Sequence, residues 1–282
     1  MSDDEEVGEI VKPERVFIYP ENFLDPDLPK GVLSPSGIMM YRRCPRQFEY
    51  AYIKEMVRRP SVAMIKGTAI HKGAEDIHNH TIQHSTLMTY EQVKDSVVDA
   101  VDKNSKEFEA ADWTEAGLTP GALKDASLQG IYEYYTKAVP LIEPVAVEKT
   151  YAFNVGTVPV RCVIDLLDKA GRPIENTTNT VVDLKTTAKM WSQQKLDYDV
   201  QLDFYAIAEK TNKLRFDFLI PRKVGVEYIR KEVFRTRSEI NILIEDVEEI
   251  AMWIKKGVFP RCDPTGWNCT PKFCGFYGLC RK

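Results

Sequence analysis

The stretch Val181-Val182-Asp183-Leu184-Lys185-Thr186-Thr187 sets the hardest condition on any fold this chain adopts. Apolar residues flank an acid and threonines close the run, which is the pattern of a short strand. Such a strand belongs in a sheet, yet it carries an acid that is costly to bury without a partner. Side chains alternate faces along a strand, so Asp183 and Lys185 project on one side, about 7 Å apart. A carboxylate there can hold a divalent cation, while the lysine positions water or neutralises charge building on a phosphate. Taken alone, the spacing also fits a salt bridge at a strand end, so the surrounding sequence decides.

Residues 158–167 read as a second strand, with Asp165 inside an otherwise apolar run. Asp is unfavourable in strands and wants a cation when buried. Residues 168–180 are polar and contain Gly171 and Pro173, as a loop between paired strands would. If the strands pair, Asp165 and Asp183 converge. Two carboxylates and a lysine suit Mg²⁺ or Mn²⁺, because hard cations prefer oxygen ligands.

Asp165, then Asp183-Leu184-Lys185, then Gln201-Leu202-Asp203-Phe204-Tyr205 resembles the RecB-type branch of the PD-(D/E)xK nucleases. The branch also carries an upstream Gly-x-x-x-His, matched by Gly67 to His71, a Cys-Pro near its start, matched by Cys44-Pro45, and a terminal cysteine cluster. The resemblance runs from about residue 33 to the end. It implies an α/β fold: a restriction-endonuclease-like core with a central mixed sheet flanked by helices, a helical insertion and a cysteine-bound C-terminus. It implies that Asp165, Asp183 and His71, with the backbone carbonyl of Leu184, hold Mg²⁺ or Mn²⁺. Lys185 would position water, and Gln201 and Tyr205 would hold the scissile strand. Relatives often have Gly three residues before the first acid, where this chain has Cys162.

Hydrophobic residues make up 44% and charged residues 28% of the chain, as in soluble globular proteins. No apolar run approaches a membrane span. The start, Met1-Ser2-Asp3-Asp4-Glu5-Glu6, is acidic and not a secretory signal, so a cytoplasmic location is expected, in a bacterial or phage-infected cell. A net charge of −4 argues against indiscriminate coating of nucleic acid but allows a basic groove.

Residues 1–30 read as an acidic mobile or extended arm, and residues 31–282 as a single nuclease domain. Ser34 and Pro35 start the first helix. Cys44-Pro45 breaks it, and a second helix is expected over 45–55. A helix over 67–79 carries His71, while His78, His80 and His84 read as surface residues. Residues 84–140 form the helical insertion, broken near Gly117 to Pro120. A strand over 145–153 contains Glu148, which could sit near the active site, although an edge-strand salt bridge is the favoured reading. One amphipathic helix is expected over 192–211, where Gln201 and Tyr205 share a face. Strands over 214–220 and 226–234 precede a core-facing helix over 235–256.

Four of the six cysteines lie in the last twenty-one residues. In a chain with no export signal, such clustering favours metal over disulfides. The spacings Cys262-x₆-Cys269-x₄-Cys274-x₅-Cys280 contain no C-x₂-C pair of the zinc-ribbon kind. The resemblance implies that Cys44, Cys269, Cys274 and Cys280 hold a [4Fe–4S] cluster in tail residues 258–282, with zinc as the alternative. Cys262 is a spare that could replace one of the four.

The expected function is a metal-dependent DNA exonuclease on single strands or ends, in recombination, repair or processing. CRISPR adaptation nucleases and phage or bacterial recombination exonucleases are similar. DNA is the expected partner; no P-loop occurs, so the chain carries no motor of its own and either works alone on DNA ends or joins a helicase, recombinase or annealing protein in trans. The alternatives are a non-catalytic nucleic-acid-binding protein on the same fold and a zinc-stabilised interaction domain.

Overall fold

Five segments with strand periodicity pair into one sheet. The computed structural model describes residues 19–56, 60–106, 108, 113, 117–169 and 179–281. The strands are β1 (Pro144–Val155), β2 (Val158–Asp168), β3 (Thr180–Thr186), β4 (Leu214–Pro221) and β5 (Val226–Val233), side by side in chain order. All neighbours are antiparallel except β3 and β4, which are parallel. The β1–β2 hairpin turns at Gly156, where φ is +59° and an added Cβ would lie 2.3 Å from the Glu248 carboxylate. Only glycine fits there.

A parallel pair needs a crossover, and α6 (Gln193–Asp197) with α7 (Val200–Glu209) supplies it. The single helix expected over 192–211 is therefore two. Asp199 adopts extended backbone and its carboxylate accepts the Gln201 N–H, which ends one helix and caps the next.

Helices cover both faces of the sheet. On one face, α1 (Pro35–Arg43), α7 and α8 (Arg237–Lys255) pack over Val160, Ile164, Phe216 and Phe218. Ser34 accepts the Gly37 N–H and Pro35 occupies the first turn of α1, as expected. Cys44 then ends α1 and begins α2 (Pro45–Phe48), which widens into a π-helical turn over Glu49–Ile53. On the other face lie α3 (Val62–His84), α4 (Tyr90–Asn104) and α5 (Pro120–Glu133), packed over Leu184 and Leu219. The result is helices on both sides of a mixed sheet. Among the described residues, no helix is long and apolar enough to cross a membrane.

Two further expectations change. Of the segment read as an arm, residues 1–18 lie outside the described residues, but Leu28 is buried in the main core, so residues 19–30 pack onto the domain. Most of the 168–180 loop also lies outside the described residues. His78 is not a surface residue. It is 2% exposed and its Nε2 lies 2.7 Å from the Tyr134 hydroxyl, because α3 runs on to His84 and turns this face under α5 and the following turn.

Beneath His78 sits a buried ionic network. Arg215 on β4 donates to Asp168 on β2 at 2.8 Å and forks onto both oxygens of Asp217 at 2.9 and 3.2 Å. Asp168 also accepts the Glu143 N–H at 2.9 Å. Breaking such a network by removing one partner costs several kcal/mol, because the remaining charge is stranded. Burial pushes the His78 imidazole down to about 4, with Asp168 opposing and Arg215 assisting.

That shift makes acid sensitivity a test of the packing. The unfolded chain takes up a proton near pH 6.5, the folded chain only near 4. Stability is then fully present above pH 6.5 and falls by about 3 kcal/mol as the pH drops to about 4. Denaturant melts of wild type and His78→Gln should diverge at pH 7 and converge towards pH 4. Parallel pH profiles would rule out a buried neutral His78.

Candidate active site

The ladder between β2 and β3 covers three pairs and ends at Leu166 opposite Val182. Continuing the register by one would set Asp165 against Asp183. The strands part there, and Asp165 Oδ2 accepts the Leu184 N–H at 3.0 Å.

Two groups of side chains meet at this split. On the α7 side, Asp183 is fully enclosed, with Lys185 Nζ 2.6 Å from its Oδ2. Neither oxygen of Asp183 receives a well-directed hydrogen bond. The contact is an ion pair with poor hydrogen-bond geometry. Lys185 instead aims its donor at Gln201 Oε1, 2.9 Å away, and Gln201 Nε2 donates to the Tyr205 hydroxyl at 2.5 Å. One turn of α7 separates Gln201 from Tyr205, so both face the β3 strand. Burial pushes the Asp183 carboxyl up to about 7 against the pull of Lys185. Burial acts to lower the Lys185 ammonium, but the carboxylates of Asp183 and Asp165 outweigh it and hold the lysine charged.

On the α3 side, His71, Glu148 and Asp165 bring ligand atoms within 4.8 Å of one another. His71 Nδ1 lies 3.5 Å from Asp165 Oδ2. Of the two readings open for Glu148, the structure favours the one beside the site over the edge-strand salt bridge. Its φ is +49°, and the β1–β2 ladder skips the Glu148–Asp165 pair between Val147–Leu166 and Lys149–Ile164. A left-handed residue breaks the strand's alternation, so Val147 and Glu148 line one pocket, as do Asp165 and Leu166. Holding a non-glycine residue there costs about 1–3 kcal/mol, a strain that gathers at functional sites. The signal in the sequence was an acid inside a half-buried strand.

The pocket has a volume of about 20 Å³, room for one water-sized occupant. Its nitrogen and oxygen donors suit a divalent cation. Across one peptide, Asp183 meets the Lys185 ammonium without a well-directed hydrogen bond, and a cation would complete its surroundings. The residues therefore fit a hard metal ion. His71 and Asp165 come together with Glu148, whereas Asp183 lies outside that group and faces Lys185, Gln201 and Tyr205. Cys162 is buried beside Gln201 and Tyr205, and burial pushes its thiol up to about 12.

Far along the chain, Cys44, Cys262, Cys269, Cys274 and Cys280 line one pocket. The terminal segment is stitched to the first helices. Tyr41 donates to the Val258 carbonyl, Arg46 N–H to the Pro260 carbonyl at 3.1 Å, and Asn268 to the Arg43 carbonyl at 3.4 Å. Burial, then the neighbouring thiols of Cys44 and Cys269, push Cys262 up to about 12. Cys262 is therefore inside the group rather than outside it. Arg281 Nη2 lies 3.3 Å from Cys269 Sγ. Five thiols crowded into one pocket, with Cys262 and Cys274 pushed up by burial and by their neighbours, fit a metal centre, which binds cysteines as thiolates.

A search of curated protein sequences finds no match. Among solved structures, a proposed exonuclease from Eubacterium rectale superposes with a TM-score of 0.56 at 14% identity, over 90% of this chain and 92% of that one. SSO0001 gives a TM-score of 0.35 at 19% identity, over 65% of this chain and 79% of that one. The first shares the fold. The profile of the PD-(D/E)XK nuclease superfamily matches residues 32–281, which takes in both halves of the split β2–β3 site and the cysteine pocket. A mixed sheet that parts at two acids, with a lysine two residues beyond the second, is thus the core of a nuclease-type hydrolase, and the chain belongs to the PD-(D/E)XK nuclease superfamily.

Proposed function

We infer that the protein is a metal-dependent DNA nuclease that works as an exonuclease on single strands or DNA ends. The observation that carries this reading is Asp183, a fully enclosed carboxylate paired with Lys185 at 2.6 Å, one peptide away from a His71–Glu148–Asp165 set. His71, Glu148, Asp165, Asp183 and the Leu184 carbonyl would hold Mg²⁺ or Mn²⁺. Such an ion supplies an activated water and neutralises charge on the phosphate. Lys185, kept protonated by two carboxylates, donates to the charge that builds on the phosphate oxygens. Gln201 holds the lysine in place, and Tyr205 fixes Gln201.

The cysteine pocket belongs to a [4Fe–4S] cluster in the same reading. Five cysteines line the pocket and none of them forms a C-x₂-C pair, which supports the larger centre over a zinc ribbon. Its role is to fasten the tail to α1 and α2. The partner is DNA, with a helicase, recombinase or annealing protein in trans, during recombination, repair or processing in the cytoplasm.

The test is cleavage of end-labelled single- and double-stranded DNA, under anaerobic conditions, with Mg²⁺, Mn²⁺ or EDTA. Degradation should require metal, shorten the strand from one end, and fall at least about 10²–10³-fold in Lys185→Ala. If wild type and variant both bind DNA and neither cuts, the non-catalytic binding protein is the correct reading.

A further inference from the structure

Five residues before His71, about 7.5 Å back along α3, Lys66 opens onto a second cavity of about 230 Å³. It lies between α3, α5 and the tip of the β4–β5 hairpin. Its wall includes Thr186, the residue after Lys185. It sits at the carboxyl end of the parallel β3–β4 pair, where crevices in α/β sheets receive ligands.

The lining is cationic. Lys66, Arg222 and Lys223 contribute charge, Gln129 an amide and Thr186 a hydroxyl, and no acid takes part. Arg222 is neutralised by Glu227. Lys66 is half-buried and makes no ion pair with a described residue. Burial alone acts on its ammonium, pushing it below the usual range with no carboxylate to offset the cost. A desolvated cation without a counter-charge is stabilised by an anion. Lys223 stands exposed at the hairpin tip, able to fold over whatever enters. The hairpin turn holds its shape through the Arg222 N–H bond to the Gly225 carbonyl at 3.0 Å.

We propose that this cavity binds an internucleotide phosphate of the same strand whose scissile bond lies at Asp165 and Lys185. The proposal rests on the nuclease reading and extends it. The metal-side group handles the bond that breaks, and Lys66 with Lys223 grips the strand beside it, fixing which bond is presented. Contacts of this kind are made to phosphate and not to base edges, so they hold any sequence.

The experiment is equilibrium binding of a fluorescent single-stranded oligonucleotide to the full chain in EDTA, across a range of salt. Lys66→Gln and Lys223→Gln should each weaken binding roughly 3- to 10-fold. Each should also flatten the slope of log affinity against log salt by about 0.7, the value for one phosphate on a single strand. Lys223 is exposed, so its substitution tests the site without risk to the core. A methylphosphonate linkage walked along the oligonucleotide should weaken wild type at one position and cost nothing further there in Lys66→Gln. Unchanged affinity and slope in both variants would overturn the proposal. So would competition at the site by inorganic phosphate with no sensitive linkage anywhere, which would make it a free-phosphate site. A wild type that binds no DNA would instead remove the nuclease reading itself.

Discussion

Replacing Asp165 with asparagine is expected to lower the single-turnover cleavage rate by about 10³-fold or more, with little change in melting temperature. Asp165 is the residue both halves of the site share. Its Oδ2 accepts the Leu184 N–H at 3.0 Å and faces His71 Nδ1 at 3.5 Å. Asparagine can still accept the Leu184 N–H through its amide oxygen, so the strand split keeps its shape. What disappears is the negative charge between His71 and Glu148. Calorimetric titration with Mn²⁺ should show the loss directly, as affinity for the ion drops alongside the rate. Activity within tenfold of wild type would place the essential cation elsewhere.

The second large effect is expected at the cysteine pocket. Cys44→Ala removes the one thiol that comes from the start of the fold, and the four that remain all lie in the tail, so a centre rebuilt on Cys262 would no longer tie the tail to α1 and α2. Metal-bound folding free energies are on the order of 10 kcal/mol in small structural sites. The variant should therefore melt at least about 10 °C lower and hold less iron and acid-labile sulfide than wild type. Its terminal segment should become open to protease. Cys162→Ser, in a separate part of the core, should keep its full metal content. One zinc per chain and no sulfide in wild type would replace the cluster with a zinc site.

Local pattern made much of the fold legible. Helix starts at Ser34-Pro35 and the stripe of α8 follow capping chemistry and periodicity, which depend on neighbours a few residues away. The Asp183–Lys185 pairing follows from strand alternation alone. What failed to show was whatever depends on a distant segment. Glu148 looks like any acid on an edge strand until β2 lies beside it and its backbone turns left-handed. His78 reads as one of three surface histidines until α5 and the turn after it cover it. Cys262 looks like a spare until the tail folds back on Cys44. Asp165 and Asp183 meet at the strand split, as strand pairing implies, but the division between them, Lys185 at one carboxylate and the Leu184 N–H at the other, shows only in the fold. None of these follows from a period of 2 or 3.6 residues.

The stitching of the tail to α1 and α2 also sets an order of events in the cell. Arg43 and Asn268 are 225 residues apart, so this contact cannot form until the tail has been made, and it closes a long loop. At about 5–20 residues per second, the ribosome needs roughly 10–50 s to bring the tail within reach of Cys44. During that interval the Cys44 thiol lacks the neighbours that the tail supplies. An oxidising environment would then trap the nascent chain before it closes, so the yield of folded protein should track the redox state during synthesis and not the chain's final stability.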